Sequence, residues 1–470
     1  MNSQLPPGPE SKGLWGDLNE FAPNPPAYLL KLAKTYGSIA RFRILNRSMY
    51  LLTDPDMIRE VLVKQQEIFA KTPFDKDVLG RFLGKGLVTN DGEFHKQQRR
   101  LVQPAFHMKR IQAYAEIMVQ YTDRMLNGWQ DGEVRRLDEE MMALTMFIVS
   151  KTLFDADAET MEMQVQAVGE AMDVVQRSSN ADYRRGFPVP SWLPTRNNRE
   201  RKRAAKVLAE VLGGIIAERR REGTAVDHGD LLSMLLLAQG EDGSLMSDQQ
   251  VLDEAVTLFA AGHETTSNAL TWTWYLLSQH PEVEAQLHEE LDGVLNGRLP
   301  TFHDLPNLPY TGMVIKEALR LYPPAWVLNG RSPLTDTEVG GYPIKKGSIV
   351  FISPYVMHRL PHYFAEPEEF RPERFTPEQE KELPRYVYLP FGAGPRVCIG
   401  NAFAMMEAQL LLATIAQRFR FELVPEQEIV PNPLITLSPR DGLQMRLVAR
   451  EKLAEKTVSH MVNMAYVPAD

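Results

Sequence analysis

The sequence predicts a mainly α-helical protein with small β-sheets, an α+β fold. Apolar residues recur every three or four positions through most of residues 55–295, which is the spacing of amphipathic helices. Short β-prone segments flank this stretch, and one more helical pattern follows near residues 401–419. The 470 residues are 44% hydrophobic and 24% charged, so the chain has enough apolar material for a large folded core.

The length would allow about three domains, but no repeat, low-complexity tract or flexible linker divides the chain. We therefore expect one domain over residues 1–470. Its β-rich part is predicted at roughly 36–54, 322–355 and 429–449, and its helix-rich part at roughly 55–321 and 400–420. The first β-rich part is predicted to be a hairpin, because Ala40, Phe42 and Ile44 alternate with polar residues before a turn at Asn46 and Arg47.

Charge and cysteine content narrow the range of partners. Lys and Arg number 52 against 61 Asp and Glu, a net charge of -9, which argues against a nucleic-acid-binding protein. The one cysteine, Cys398, cannot form an intramolecular disulfide. The first residues lack a signal-peptide pattern, and no apolar run reaches the roughly 18 residues of a membrane span. We expect a soluble cytoplasmic protein without a transmembrane segment and leave peripheral membrane contact open.

Cys398 lies in the segment FGAGPRVCIG, with Gly392, Gly394 and Gly400 around it, ahead of a predicted helix. Glycines let the backbone approach a flat ligand and orient N–H groups toward a sulfur atom. A helix N-terminus favours the thiolate, the form that binds metals. Arg396 adds a cation for an acidic group of that ligand. A lone cysteine is by default a small buried hydrophobe, so it is the setting that indicates a site.

The longest predicted helix runs from near Ser247 to about Gln279 and spans about 45 Å. Its middle, AGHETT, places Glu264 among apolar turns, which is costly for a carboxylate. Ala261 and Thr265 are four residues apart, so a small side chain and a hydroxyl face the same space. Taken alone, the motif would also suit an ordinary core helix.

These segments together resemble the cytochrome P450 superfamily. Phe391, Gly394, Arg396, Cys398 and Gly400 are similar to its haem-binding signature, and AGHETT is similar to its oxygen-activation motif. The resemblance covers nearly the whole chain. It implies the cytochrome P450 fold, a triangular prism with a long central helix that crosses the haem, and a soluble, bacterial-type haem-thiolate monooxygenase.

The resemblance also assigns roles at the cysteine loop. It implies that Cys398 binds the iron of haem b, that Phe391 shields the sulfur, and that Arg396 reaches a propionate. It further implies that Gly400 lets the following helix lie against the porphyrin. Among the more distant haem contacts, Arg331 matches a propionate-binding position.

The long helix and the helix near residue 95 receive roles from the same resemblance. Thr265 would hydrogen-bond dioxygen, Glu264 would relay protons from water, and Ala261 would leave room above the iron. Arg99 holds the usual basic position at the other edge of the haem. His95 stands where the family usually has tryptophan, and it could still donate to a propionate.

A further motif lies in KEALRLYPP, where Glu317 and Arg320 are three residues apart on a predicted helix. Such a pair is usually a weak surface interaction. Here it matches the family's E-x-x-R motif, and Arg374 in FRPERF matches the third partner. The resemblance therefore implies a buried structural triad.

The segments that line the substrate pocket in this family are mostly apolar here, which favours a lipophilic substrate such as a fatty acid, terpenoid, steroid or carotenoid. Arg47 and Tyr50 lie in the early hairpin, where some fatty-acid hydroxylases of the family that the chain resembles place a carboxylate anchor, but we favour an ordinary surface pair as the interpretation. Other segments resemble bacterial members that act on carotenoids. The predicted pocket residues are Phe74, Phe82, Leu83, Leu87, Phe259, Ala260, Ala325, Trp326, Val327, Leu328, Ile435 and Thr436.

No segment resembles a flavin or ferredoxin module, so the electrons, ultimately from NAD(P)H, must come from a separate protein. We expect a ferredoxin or flavodoxin type partner with its reductase. A basic surface for an acidic partner is predicted from Lys96, Arg99, Arg100, Lys109 and Arg110. A peroxide-driven peroxygenase and a non-catalytic haem sensor remain the alternative functions.

Overall fold

The computed structural model describes residues 5–10, 13–155, 162–186, 188–222, 228–240 and 243–450. These residues form sixteen α-helices and twelve short β-strands, which confirms the predicted fold class. Residues 451–470 of the expected single domain lie outside the described part. None of the described helices is long and apolar enough to cross a membrane.

Nine of the described helices precede residue 230. They are α1 Leu18–Phe21, α2 Pro25–Tyr36, α3 Pro55–Arg59, α4 Pro73–Leu83, α5 Gly92–Val102, α6 Met108–Asn127, α7 Leu137–Phe154, α8 Glu162–Arg185 and α9 Arg196–Glu222. The later helices are α10 Leu231–Leu237, α11 Asp248–Gln279, α12 Pro281–Leu295, α13 Pro309–Leu321, α14 Pro354–Met357, α15 Pro377–Glu382 and α16 Asn401–Ala416. One π-helical turn and four 3-10 turns accompany them at Glu60–Lys64, Gln103–Phe106, Phe302–Asn307, Pro372–Phe375 and Gly394–Arg396.

The strands are β1 Ile39–Ile44, β2 Arg47–Leu52, β3 Phe69–Lys71, β4 Val134–Arg136, β5 Arg331–Pro333, β6 Thr337–Val339, β7 Tyr342–Ile344, β8 Ile349–Ile352, β9 Phe419–Leu423, β10 Pro431–Pro433, β11 Leu437–Pro439 and β12 Gln444–Ala449. The largest sheet has the order β1-β2-β8-β5-β3, and three smaller sheets pair β10 with β11, β4 and β9 with β12, and β6 with β7. The predicted early hairpin is present as antiparallel β1 and β2. β3 pairs with β5 so that Lys71 stands opposite Arg331.

Helix α11 runs through the largest core and has 32 residues, about 48 Å of helix. It starts with a capping box, in which Ser247 caps the helix and Gln250 reaches back to the cap; this motif satisfies two of the free N–H groups of the first turn. Trp272 and Trp274 are fully buried near its C-terminal end. At Gly262 a Cβ atom would stand 3.0 Å from Val149 Cγ2 of α7, so glycine allows the two helices to pack closely.

Candidate active site

A cavity of about 430 Å³ lies between α11 and the loop that precedes α16. Cys398 of the loop lines it together with Thr265 of α11. The structure brings all ten predicted cofactor and catalytic residues to this cavity. They are His95, Arg99, Ala261, Glu264, Thr265, Arg331, Phe391, Arg396, Cys398 and Gly400.

The cysteine loop is closed by its own backbone. The Cys398 N–H donates to the Phe391 carbonyl at 2.9 Å, and the Val397 N–H donates to Gly394 O at 3.0 Å. Gly394 has a φ of 71°, and a Cβ atom there would stand 2.5 Å from Leu62 O. A side chain at this position would therefore clash with backbone, which explains the glycine.

The thiol of Cys398 is accessible from the cavity and is enclosed by protein on its other sides. This burial raises the pKa of the thiol, whereas the Gly400 N–H and the charge of Arg99 lower it. The loop thus presents the sulfur to the cavity, and two groups already favour its thiolate form.

One end of the cavity is lined by basic side chains, which we call the cationic group: Lys71, His95, Arg99, Arg331 and Arg396. Burial and the nearby Arg396 lower the pKa of Arg331 to about 10. Burial, followed by Arg396 and Arg331, also lowers the pKa of Lys71 well below its usual value. The pKa of His95 falls to about 3, through burial and then through Arg396, Lys71 and Arg99. His95 is therefore neutral near pH 7.

Little negative charge balances the cationic group. In the described part of the chain, the one carboxylate that forms an ion pair with it is Asp91, which contacts Arg396. Asp91 also binds Lys76 at 2.6 Å. Buried cations that repel one another without counter-charges are unfavourable. A ligand that carries two carboxylates would relieve this repulsion.

Haem b fits these features, because its two propionates suit the cationic group and its iron suits a thiolate at Cys398. Gly400 also lines the cavity, and the Cβ position of this glycine is approached only by Phe106 Cε1 at 3.7 Å. Gly400 therefore places no side chain of its own in the cavity beside the start of α16.

On α11, Thr265 Oγ1 donates to the Ala261 carbonyl at 2.7 Å. This bond leaves the lone pairs of the hydroxyl available to the cavity. Ala261 is exposed to the cavity and presents only a methyl group. A small reactant thus finds a hydroxyl and free space on the same helical face.

Glu264 is part of a polar cluster that we define as Gln176, Glu264 and Thr436, all of which line the cavity. Gln176 Nε2 of α8 donates to Glu264 Oε2, and Thr436 Oγ1 donates to Glu264 Oε1 at 2.7 Å. Asn268 Nδ2 donates to Thr436 Oγ1 at 3.2 Å. Burial raises the pKa of Glu264 to about 7, Asp173 adds to the rise, and the bond from Thr436 opposes it.

The predicted triad is fully buried away from the cavity. Arg320 donates to Glu317 through Nε at 2.7 Å and through Nη2 at 2.8 Å. Arg374 Nε reaches Glu317 Oε1 at 3.3 Å. Arg320 also donates to the carbonyls of His358 and Pro367 at 2.8 and 2.7 Å. Helix α13 is thereby tied to the segment that leads to the cysteine loop.

Nine of the twelve predicted pocket residues line the cavity: Phe82, Leu83, Leu87, Ala260, Ala325, Val327, Leu328, Ile435 and Thr436. The other three do not. Phe74 packs edge-on against Tyr183, with ring centroids 5.1 Å apart. Phe259 lies on the opposite side of α11, where it stacks on Phe154. Trp326 is buried in a second hydrophobic core, which contains the buried side chains of β1, β2 and β8, and it donates to Leu434 O at 2.8 Å.

One prediction about a charged group needs revision. Arg99 was assigned both to the haem and to the outer basic surface, but its guanidinium lines the cavity and donates to Val397 O at 2.8 Å. Arg47 and Tyr50 are not among the residues that line the cavity. The sequence prediction also missed Lys71 and Gln176, since each comes from an element far along the chain from the recognised motifs.

The comparisons with known proteins agree with this site. The family model described as "Cytochrome P450" matches residues 6–445. Cyclooctatin synthase from Streptomyces melanosporofaciens is 39% identical over 417 residues, which are 88% of this chain and 89% of that protein. Cyclooctat-9-en-7-ol 5-monooxygenase from the same organism is 38% identical over 404 residues, 85% of this chain and 86% of that protein.

Among solved structures, the crystal structure of cytochrome P450DA heme domain matches with a TM-score of 0.85 and 27% identity, and the match covers 96% of this chain and 99% of that chain. The chain belongs to the cytochrome P450 family. It is an oxidoreductase of the monooxygenase class that uses haem and dioxygen. Enzymes of this class take electrons from a redox partner and act on lipophilic substrates.

Proposed function

We propose that this monooxygenase inserts one oxygen atom of dioxygen into a C–H bond or an alkene of a terpenoid. The observation that carries the proposal is the apolar wall beside Cys398 and Thr265, to which Leu83, Leu87 and Val327 contribute. Such a wall binds a hydrocarbon skeleton through burial of apolar surface. The relative that acts on cyclooctat-9-en-7-ol supports a terpenoid.

A fatty acid fits this cavity less well than an uncharged terpenoid. The basic side chains that line the cavity all belong to the cationic group, and the haem propionates would occupy these. A fatty-acid carboxylate would then meet the polar cluster, which itself contains the carboxyl of Glu264. Two carboxyl groups in one enclosed space disfavour each other's ionised form.

In the proposed site, Cys398 would hold the haem iron through its sulfur. Arg99, Arg331, Arg396, His95 and Lys71 would receive the two propionates, and the Gly400 N–H would limit the electron density on the sulfur. Haem held by a thiolate supplies the chemistry that activates dioxygen. The net reaction consumes dioxygen, two electrons, two protons and the substrate, and it yields water and the oxygenated product.

Two residues of α11 handle the protons in this proposal. The Thr265 hydroxyl stands on the cavity face, where it accepts one hydrogen bond and passes a proton onward. Glu264 has a pKa of about 7, so its carboxyl group both holds and releases protons near neutral pH. Its position next to Thr265 supports a role in resupplying the hydroxyl.

Titration of the haem absorbance tests the terpenoid proposal. The haem-loaded protein is mixed with terpenoids, fatty acids and steroids of similar size, and the low-spin to high-spin shift is recorded. We expect terpenoids to give the largest shift at the lowest concentration. A panel in which only fatty acids or steroids shift the spin state would contradict the proposal.

We also infer that the electrons come from an acidic ferredoxin or flavodoxin that docks on a basic surface formed by Lys96, Arg100, Lys109 and Arg110. Arg100 and Lys109 are exposed, and Met108, next to Lys109 in sequence, adds an exposed apolar side chain with 54% of its surface accessible. Lys96 and Arg100 of this surface belong to α5, the helix that carries Arg99 on its cavity side. Long-range attraction to an acidic protein raises the association rate.

The double variant Arg100→Glu with Lys109→Glu is expected to slow reduction by such a partner about tenfold or more at low salt, because charge complementarity mainly sets the association rate. Stopped-flow reduction at several salt concentrations measures this. Lys202→Glu with Arg203→Glu, on the exposed part of α9, is the matched control. Equal rates for both double variants, or rates that salt does not affect, would count against the docking surface.

A further inference from the structure

The polar cluster is the part of the cavity that an entirely hydrocarbon substrate would not use. Gln176, Glu264 and Thr436 come from α8, α11 and the segment between β10 and β11. The residues around them in the cavity wall, such as Ala260 and Ile435, are apolar. The polar cluster therefore determines which functional group the substrate must carry at this place.

The three side chains differ in the hydrogen bonds that they still offer. Glu264 accepts one bond at each carboxyl oxygen, and Thr436 both donates and accepts. Gln176 has two N–H donors and a carbonyl acceptor, of which one N–H is engaged by Glu264. In the described part of the chain, its carbonyl Oε1 and its second N–H have no hydrogen-bond partner. Gln176 is thus the member of the cluster whose side chain can both donate to a ligand and accept from it.

Hydrogen bonds from Thr436 to Glu264 and from Asn268 to Thr436 hold the polar cluster in place. Asn268 is buried and does not line the cavity, and it donates to Thr436. Asn180, one turn further along α8, accepts from the Ile435 N–H at 3.1 Å. The amide of Gln176 is therefore presented by three elements that are tied together, as a binding group must be.

The charges of the cavity disfavour a carboxylate ligand at the polar cluster. Glu264 lies within the cluster and disfavours a carboxylate, whereas the basic groups of the cavity wall lie at the haem end. A hydroxyl can donate to Gln176 Oε1 and accept from the second N–H of the same amide. A hydrocarbon at the same place would leave the amide without partners, which costs binding energy.

We propose that the substrate is a terpenoid alcohol whose existing hydroxyl is bound by Gln176 at the polar cluster. This inference rests on the proposed function and adds to it the functional group that the substrate carries. The enzyme then acts on a skeleton that an earlier reaction has already oxygenated, and it adds a second oxygen at another carbon.

A pair of ligands that differ only in the hydroxyl tests the inference. Cyclooctat-9-en-7-ol and its parent hydrocarbon cyclooctat-9-ene are titrated into the haem-loaded protein, and Kd values are taken from the spin-state shift. In the wild type, we expect the alcohol to bind about tenfold more tightly, which corresponds to about 1.4 kcal/mol. In Gln176→Met, which keeps the length of the side chain, the two Kd values should differ by less than about threefold.

The control is Gln166→Met on the same helix, because Gln166 is exposed and pairs with Glu170. It should keep the wild-type ratio of the two Kd values. A purely structural role of Gln176 would weaken both ligands equally and leave their ratio unchanged, which overturns the inference. Equal Kd values in the wild type overturn it as well, without any variant, while the terpenoid proposal stands. If neither ligand nor any other terpenoid shifts the spin state, both proposals fail.

Discussion

Glu317→Gln is expected to destabilise the protein by about 3–5 kcal/mol and to lower the fraction of chain that retains haem. The Glu317 carboxylate accepts from Arg320, from Arg374 and from the Arg371 backbone N–H at 2.9 Å. Glutamine keeps the size but removes the charge, so two guanidinium groups stay buried without their counter-charge. The loss is a large part of the roughly 5–15 kcal/mol that stabilises a folded domain.

Denaturant unfolding and the ratio of haem to protein measure this effect. Glu20→Gln is the matched control, since Glu20 forms an exposed ion pair with Lys31 at 2.9 Å. Exposed pairs contribute about 0–1 kcal/mol, so this variant should unfold like the wild type. Similar unfolding midpoints for both variants would show that the triad does not hold the segment before the cysteine loop.

Thr265→Val is expected to keep haem and substrate binding but to release most of the consumed electrons as hydrogen peroxide. Valine has nearly the same shape as threonine and lacks the hydroxyl, so proton transfer loses its group on the cavity face. Positioned proton transfer contributes about 10²–10⁴-fold to rates, and we expect product formed per NAD(P)H to fall about tenfold or more. Product and peroxide are measured in parallel against NAD(P)H oxidation.

Thr273→Val provides the control on the same helix. Thr273 Oγ1 also donates to a backbone carbonyl, Ala269 O at 2.7 Å, but Thr273 is fully buried and does not line the cavity. The Thr273→Val enzyme should therefore form as much product per NAD(P)H as the wild type. A Thr265→Val enzyme with wild-type product yield would contradict the proton-transfer role.

The parts of the site that are contiguous in sequence were predictable. The shape of the cysteine loop follows from residues within it, because Gly394 has a positive φ and a side chain at this position would clash with Leu62 O. In α11, the four-residue spacing of Ala261 and Thr265 places both side chains on one face. Local geometry connects these residues directly to the cavity, so spacing and residue type were sufficient.

Contacts between distant segments were not predictable in the same way. Lys71 reaches the cavity because β3 pairs with β5, which sets it opposite Arg331. From the sequence, Gln176 resembles a surface residue of an amphipathic helix, but in the structure its Nε2 donates to Glu264 of α11. In both cases the informative partner is far away in sequence, and a single sequence shows neither pairing.

The wrong pocket predictions have a simpler origin. Phe259 is adjacent in sequence to Ala260, but successive helical residues differ by about 100° around the axis, so Phe259 faces Phe154 in the core. Trp326 sits between Ala325 and Val327, yet its ring turns to the second core. A prediction that takes runs of consecutive residues therefore includes too many cavity-lining residues. The helical period would have placed Phe259 on a different face from Ala260.

The most direct test of the account is the absorbance of the ferrous carbonyl complex of the haem-loaded protein. Binding of the iron by the Cys398 sulfur predicts the strongly red-shifted Soret band that a thiolate ligand gives. Cys398→Ser should lose this band while its helix content stays unchanged. A wild-type band at the position of a histidine-bound globin, or the same band in Cys398→Ser, would contradict the assignment of Cys398 and the site built around it.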